Sequence, residues 1–170
     1  MQYLGNTIEE IAGEKAGILK PGVPVVYDAS CEESRTVIEV RAMELKCPKI
    51  PVGRDAYTFM KRDAKGAYIA VRTSDGGQLV VTVPSQAEYQ RMNVSFAVKA
   101  RSILRRNGLC WFSREDIVQG ILQGYWPGRM ERVLPGVYLD GAHNAGGIEA
   151  LHETMTRMQK ETGKSISILF

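Results

Sequence analysis

The sequence predicts an α/β fold, in which a mostly parallel sheet is flanked by helices and carries an antiparallel β meander. Three observations support this class. Strand-like and helical segments alternate over residues 7–52, and residues 54–84 contain three strand-like runs separated by turn residues. Residues 137–170 then have the order strand, helix, strand, which is typical of a βαβ unit.

The first predicted helix begins at Thr7 and ends at Gly17. Thr7 and Glu10 have the spacing of a capping box, in which each side chain satisfies one backbone donor at the helix start. Gly17 is expected to end the helix because glycine enters the left-handed C′ conformation at little cost. A Lys-Pro-Gly turn at residues 20–22 then leads into a predicted strand over residues 23–27.

Lys15 is the unusual residue of this helix. The i, i+3, i+4, i+7 spacing places it on the same face as Ile8, Ile11 and Ala12, and therefore predicts that its amine points into the interior or a cleft. Loss of hydration disfavours the charged form of a lysine and leaves its amine available for chemistry. The alternative is a lysine at a helix end that extends into solvent and complements the helix dipole. The spacing alone favours this alternative.

A second helix is predicted from Ser30 to about Lys46, followed by a short strand over residues 50–52. Ser30 and Glu33 repeat the capping-box pattern. Together with the strand over residues 23–27, this gives the order strand, helix, strand that is typical of a parallel sheet with helices on its faces.

Residues 54–84 differ from the segments on either side. The runs at residues 57–60, 67–71 and 78–83 are strand-like, and Ser74-Asp-Gly-Gly77 is typical of a hairpin turn. This segment is interpreted as an antiparallel meander with a purely structural role.

The most regular helical pattern covers residues 88–107. Its apolar residues lie along one face, arginines cluster near its end, and Gly108 is placed to cap it. Asn93 lies beside the apolar face, and the pattern does not distinguish a binding role from an amide that ties two helices together. A shorter helix follows, capped by Ser113.

Two polar elements stand out in the last third of the chain. Arg129 is presented from a Pro-Gly turn, where surface charge is usually solvated. The strand over residues 137–139 is followed by the loop Asp140-Gly-Ala-His-Asn-Ala-Gly-Gly147, by a helix in which His152 is interpreted as structural, and by a strand over residues 166–170. Polar and glycine residues at the carboxyl end of a parallel strand lie where such sheets bind ligands. The loop alone is weak evidence for a site.

Composition excludes several classes of protein. The 170 residues are 44% hydrophobic and 24% charged, as is usual for a globular protein, and the formal net charge is +3. The basic residues form no long stripe of the kind that binds nucleic acid, and no apolar run is long enough to span a bilayer. No signal peptide is recognised, and three widely spaced cysteines favour reduced thiols in the cytoplasm.

Four segments together resemble the folylpolyglutamate synthase/dihydrofolate synthase family of the Mur ligase superfamily. The longest, LGNTIEEIAGEKAGILKPGVPVV at residues 4–26, is similar to a signature of the central domain in that family. YQRMN at residues 89–93, WPGRMERV at residues 126–133 and DGAHN at residues 140–144 follow in the family order. The resemblance covers essentially the whole chain.

This resemblance implies roles for five side chains. By analogy Lys15 is carbamylated and helps to hold a magnesium ion, and Asn93 contacts the adenine region of ATP. Arg129 would reach the ATP phosphates, a task that suits a guanidinium because it binds phosphate oxygens in pairs. Asp140 would contact the nucleotide ribose. His143 would neighbour the incoming glutamate or the phosphates, or would order the loop.

The resemblance also implies a domain organisation and an activity. Residues 1–127 correspond to the second half of a central ATPase domain, and residues 128–170 to the linker and the start of a Rossmann-like C-terminal glutamate-ligase domain. The implied enzyme uses ATP and Mg²⁺ to add glutamate to dihydropteroate or to folates through an acyl phosphate, in the cytoplasm.

Two alternatives remain open at this point. The sequence contains no G-x-x-x-x-G-K-[ST] phosphate loop, so we expect the chain to be inactive alone and to need the N-terminal half of its parent. A non-catalytic α/β interaction module is one alternative, and a Mur-type peptidoglycan ligase is the other. Neither a nucleic acid nor a membrane is expected as a partner.

Overall fold

The structure is a computed structural model that describes residues 5–169. Over these residues the helices and strands follow one another in this order: α1 Ile8–Ala16, β1 Val25–Asp28, α2 Glu32–Glu44, β2 Lys49–Val52, a 3₁₀ turn Arg54–Ala56, β3 Tyr57–Asp63, β4 Gly66–Arg72, β5 Gln78–Val83, α3 Tyr89–Arg106, α4 Arg114–Leu122, β6 Glu131–Leu134, β7 Val137–Leu139 and α5 Ala145–Thr162.

The chain divides into two compact units, each of which collects several segments. Unit 1 contains the described residues up to Tyr57 together with Arg72–Gly77 and Ser95–Trp111. Unit 2 contains Thr58–Val71, Gln78–Val94 and the described residues from Phe112 onward. The strands β3 and β4 and the helix α3 therefore run from one unit into the other. The domain boundary expected after residue 127 remains a prediction.

Unit 1 is built on a parallel pair of strands. β1 pairs with β2 from Val25 opposite Lys49 to Asp28 opposite Val52, and α2 forms the crossover between them. This confirms the predicted order of strand, helix and strand. Helix α1 packs against α2, and the small side chains of Ala12 and Ala16 in α1 are buried.

Two helix ends in unit 1 differ from the prediction. Gly17 has a right-handed φ of −59°, because the chain continues through further tight turns, and the left-handed glycine is Gly22 with φ +73°. The N-cap of α2 is Cys31 without a side-chain cap. Ser30 does not cap this helix, because it lies one residue before the N-cap position; its backbone N–H donates to Oδ1 of Asp28 at 2.8 Å in a local turn.

Unit 2 contains the meander, in the order β3, β4, β5. Connections of two and five residues between hydrogen-bonded neighbours require antiparallel pairing, so the predicted meander is confirmed. Its core face consists of small and β-branched side chains that are almost completely buried: Ala67, Ile69, Val71, Val81 and Val83. Helix α4 packs on β5, and its capping box is formed by Ser113 and Asp116.

The C-terminal part of unit 2 agrees only partly with the predicted βαβ unit. β7 forms an antiparallel hairpin with β6, and α5 ends at Gly163, which has φ +67°. The closing strand expected over residues 166–170 is not formed in residues 163–169, and Phe170 lies outside the described residues. A strand needs a hydrogen-bonded neighbour, and β7 takes β6 as its partner.

Two further properties bear on the class of protein. Within residues 5–169, no helix is both long enough and apolar enough to cross a bilayer. The cysteines are free thiols: Cys31, Cys47 and Cys110.

Gly66 provides a test of the meander. Its φ is +133°, and a Cβ at this position would lie 2.1 Å from the carbonyl oxygen of Val83, which is a clash with fixed backbone. We expect Gly66→Ala to lower the free energy of unfolding by about 3 kcal/mol or more. Chemical denaturation of the 170-residue chain measures this change.

Gly76→Ala is the matched control. Gly76 also has a positive φ of +84°, but a Cβ there meets no atom within 4 Å. Backbone strain alone is expected to cost roughly 1–2 kcal/mol. Equal losses in the two variants would show that the contact with Val83 is not important.

Candidate functional site

Asp140 is the first residue after β7, and its half-buried carboxylate organises the surrounding loops. Its Oδ1 accepts from the backbone N–H of Ala142 at 2.9 Å. Its Oδ2 accepts from the backbone N–H of Met130 and from the hydroxyl of Tyr89, each at 2.9 Å. One side chain therefore connects the loop after β7, the turn before β6 and the start of α3.

Arg129 lies in that turn with an exposed side chain. The carbonyl oxygen of Gly128 accepts from the backbone N–H of Gly141 at 2.7 Å, so the turn and the loop after β7 are joined directly. A Cβ on Gly141 would lie 4.0 Å from Nη1 of Arg129, which places the guanidinium beside this loop. The site thus presents a positive charge to solvent next to the Asp140 carboxylate.

Met130 is held in an unusual backbone conformation at this point. Its φ is +51°, a left-handed value that is uncommon for a residue other than glycine, and its side chain is buried. The hydrogen bond to Asp140 fixes its backbone N–H, and Oε2 of Glu131 accepts from the N–H of Gly128 at 2.8 Å. These bonds stabilise a strained turn that sets the direction of Arg129.

Tyr89 lies between the two charged residues. Burial raises the pKa of Tyr89, and the hydrogen bond and charge of Asp140 raise it further. The positive charge of Arg129 acts in the opposite direction and lowers the pKa of the same hydroxyl. Sequence reasoning had assigned Tyr89 only to the apolar face of a helix and to the family motif, and it missed this polar role.

Asn93 lies one helical turn beyond Tyr89 on α3, at the i+4 spacing that places two side chains on one face. Its side chain is exposed, and its Nδ2 donates to Oε1 of the buried Gln90 at 3.0 Å. The structure therefore brings Asp140 to the Tyr89 hydroxyl, places Arg129 beside the loop that follows Asp140, and places Asn93 on the same helix as Tyr89.

His143 is exposed and takes part in the order of its own loop. Its Nδ1 lies 2.8 Å from the carbonyl oxygen of Gly141, and since a carbonyl only accepts, the imidazole donates through Nδ1. Asn144 next to it caps α5, with its side chain accepting from the N–H of Gly147 at 2.9 Å.

The expected inward orientation of Lys15 is wrong in this chain. Lys15 is exposed, and the residues of α1 that are buried are Ala12 and Ala16. This narrow i, i+4 stripe faces α2, and Ile8 of the predicted apolar face is itself 50% exposed. The predicted apolar face of α1 is wider than the stripe that is buried in the structure, and Lys15 lies outside that stripe. Its carbamylation and catalytic role remain predictions.

The start of α3, which carries Tyr89, is fixed by an ion network around Glu88. The Glu88 carboxylate pairs with Nη2 of Arg62 at 3.0 Å and also contacts Arg91 and Arg157. The backbone N–H of Glu88 donates to Oγ1 of Thr154 at 3.1 Å, and Thr154 is completely buried in α5. The tyrosine of the site therefore extends from a rigid point.

A metal site would need several ligand side chains close together. In the part of the chain that the structure describes, no three His, Cys, Asp or Glu side chains lie close enough together to hold a metal ion. The described residues alone therefore do not fit a magnesium site.

Known proteins are similar to this chain in sequence. No model of a known protein family matches the chain. The dihydrofolate synthase/folylpolyglutamate synthase of Bacillus subtilis is 36% identical over 174 aligned positions, which cover 100% of this chain and 40% of that protein. The folylpolyglutamate synthase of Lacticaseibacillus casei is 29% identical over 153 positions, which cover 88% of this chain and 36% of that protein. Over its whole length the chain is similar to dihydrofolate synthases and folylpolyglutamate synthases.

Solved structures of this family have the same fold. A folylpolyglutamate synthase in complex with AMPPCP and folate superposes with a TM-score of 0.80 at 25% identity, over 93% of this chain and 39% of that one. A complex with AMPPCP gives a TM-score of 0.77 at 26% identity, over 98% and 41%. The α/β class is thereby confirmed. The chain spans about 40% of the length of the relatives that it matches.

Asp140→Asn tests the hydrogen bonds of the site. An asparagine offers one acceptor oxygen and one NH₂ donor, so at least one of the three donors around residue 140 would face another donor. We expect hydrogen-exchange protection of the Met130 and Ala142 amides to fall by about tenfold or more. Amide exchange followed by NMR measures both positions.

Asp63→Asn serves as the comparison. Oδ1 of the exposed Asp63 accepts from the N–H of Lys65 at 2.8 Å in the turn between β3 and β4. The same change there is expected to affect only Lys65. Unchanged protection of Met130 and Ala142 in Asp140→Asn would contradict the assigned bonds.

Proposed function

We propose that this chain is part of an ATP-dependent ligase that adds glutamate to dihydropteroate or to folates through an acyl phosphate. The observation that carries the proposal is the exposed Arg129 guanidinium beside the Asp140 carboxylate and the Tyr89 hydroxyl, in a chain whose structural neighbours include complexes with AMPPCP. When bound, ATP supplies the phosphoryl group that activates the carboxylate of the pteroate or folate. The glutamate amine then displaces phosphate and forms the amide.

The charged groups around the loop after β7 suit the phosphates and the ribose of a nucleotide. Arg129 is exposed and carries a planar guanidinium, so it can bind phosphate oxygens in pairs and stabilise charge during phosphoryl transfer. Asp140 accepts one of its three bonds at Oδ1, which leaves acceptor capacity there for a ribose hydroxyl. His143 directs its Nδ1 to its own loop, so the opposite ring nitrogen is the one available to glutamate or phosphate.

Asn93 is proposed to contact the adenine. Its side chain is exposed on the helix that also carries Tyr89, and its amide is oriented by the buried Gln90. An amide offers both a donor and an acceptor, as recognition of an adenine edge requires.

We propose that this chain holds only part of the catalytic residues of the ligase. Residues 1–127 would be the second half of a central ATPase domain and residues 128–170 the start of the C-terminal domain, with cytoplasmic residence. The sequence has no G-x-x-x-x-G-K-[ST] phosphate loop, so we expect the chain to require the remaining part of a longer ligase for turnover.

Lys15 is proposed to contribute one oxygen to a magnesium site as a carbamate. The described residues supply no set of metal ligands, so other ligands would have to come from the rest of the longer ligase. Exposure of the Lys15 amine leaves it open to carbon dioxide. No step of the reaction is assigned to the metal.

Arg129 provides the direct test of the proposed function. In the full-length ligase, Arg129→Ala should lower the rate of ATP-dependent ligation by about a hundredfold, since loss of one preorganised phosphate-stabilising group costs on the order of 3 kcal/mol. Arg129→Lys should recover only part of the rate, because a point charge does not reproduce paired guanidinium contacts. Steady-state kinetics with ATP, glutamate and the pteroate or folate substrate measure these rates.

Arg132, three residues further along, is the internal control. It is exposed on β6, and we assign it a solvated or structural role. Arg132→Ala is therefore expected to retain a rate close to that of the unchanged enzyme. Equal losses of ligation rate in Arg129→Ala and Arg132→Ala, or no loss in Arg129→Ala, would show that the turn has a structural role. Arg129 would then not be the residue that contacts phosphate.

Lys15 can be tested separately. Lys15→Ala in the full-length ligase should lower the ligation rate by at least about tenfold, whereas Lys20→Ala, which removes an exposed lysine from the following turn, should not. NMR of the enzyme with isotope-labelled bicarbonate should show one carbamate signal that disappears in Lys15→Ala. Retained activity together with no such signal would exclude the carbamate.

A further inference from the structure

We propose that Tyr89 is a positioning residue of the nucleotide site, whose hydroxyl holds the Asp140 carboxylate in the orientation that ATP binding requires. This inference rests on the proposed function of the chain. It adds a residue that contacts neither the nucleotide nor the reacting atoms.

The hydroxyl is suited to this role because a phenol, with an ordinary pKa of about 10, is protonated at neutral pH and can donate to a carboxylate. It donates to Oδ2 of Asp140 at 2.9 Å. Burial raises the pKa of Tyr89, and Asp140 raises it further, as expected for a half-buried phenol that donates to a carboxylate.

The position of the hydroxyl is defined by the helix that carries it. Tyr89 is the first residue of α3, and the residue before it is fixed by Arg62, Arg157 and Thr154. The ring is half-buried, so its orientation is restricted by packing. The loops that it contacts are short turns, and a rigid donor from a long helix is well placed to fix them.

Removal of the hydroxyl has one specific consequence. Asp140 keeps its bonds from Met130 and Ala142, so the loop is expected to stay folded, but the carboxylate loses a bond that directs Oδ2. This change is expected to weaken nucleotide binding without removing a group that contacts the nucleotide.

The test compares Tyr89→Phe with Tyr27→Phe in the full-length ligase. Tyr27 is a matched control, because its hydroxyl also donates to a carboxylate, Oε1 of Glu39 at 2.6 Å, and burial likewise raises the pKa of Tyr27 to about 12. Tyr27 lies in β1 of unit 1, bonds to Glu39 of α2, and is assigned no role in the site. Both variants delete one phenol hydroxyl that donates to a carboxylate.

Calorimetric binding of AMPPCP and the KM values for ATP and for glutamate are the readouts. Tyr89→Phe is expected to weaken AMPPCP binding about tenfold and to raise KM for ATP by a similar factor, with little change in KM for glutamate. Tyr27→Phe is expected to bind AMPPCP normally. Tyr89→His keeps a ring N–H that can donate to Asp140 and should recover part of the affinity.

Three outcomes overturn the inference. In the first, Tyr89→Phe binds AMPPCP as tightly as Tyr27→Phe does. In the second, Tyr89→Phe raises the KM for ATP and the KM for glutamate equally, as a purely structural role would. The third is a Tyr89→His variant that folds but binds no better than Tyr89→Phe. Arg129→Ala distinguishes the two proposals: if it also binds AMPPCP normally and ligates at the normal rate, the proposed function fails, whereas if it is impaired, only the role of Tyr89 fails.

Discussion

The geometry of the candidate site depends on the ion pairs that the Glu88 carboxylate forms. This carboxylate is contacted by three arginines from different elements, Arg62 of β3, Arg91 of α3 and Arg157 of α5, and all four side chains are mostly buried. Burial lowers the pKa of Arg62, and the neighbouring charges of Arg157 and Arg91 lower it further. Without the carboxylate, three cations would share a poorly hydrated space, an arrangement that is strongly unfavourable. The network therefore joins β3, α3 and α5 at one point.

This arrangement explains how exposed groups of the site keep a defined geometry. The residue after Glu88 is Tyr89, and its hydroxyl transmits the rigidity of α3 to the loop at Asp140. Asp140 in turn fixes the strained backbone at Met130, and Arg129 follows from the direction of that turn. Charges fixed before a ligand arrives need little reorganisation when they meet phosphate, which is the basis of electrostatic stabilisation in phosphoryl transfer.

Elements that depend on local chemistry were predictable from the sequence, and elements that depend on a distant neighbour were not. The apolar period of α3, the turns of the meander and the cap of α4 at Ser113 are local patterns, and the structure confirms all three. The closing strand needed a partner that residues 163–169 do not have, and the orientation of Lys15 depended on which stripe of α1 faces α2. At the site, the family resemblance pointed to Arg129 and Asp140, but the hydroxyl of Tyr89 that bonds to Asp140 was hidden in an apolar stripe.

The two units differ in how much of their expected chemistry the described residues support. In unit 2, Asp140 is bonded to Tyr89 and to the backbone of Met130, the residue after Arg129, so this geometry follows from residues that the structure describes. In unit 1, Lys15 is exposed and belongs to no metal-binding group among those residues. A carbamate is stabilised by a cation, and a cation needs several oxygen ligands. The geometry around Asp140 can therefore be studied in this chain alone, whereas the proposed carbamate can be tested only where the other ligands are supplied.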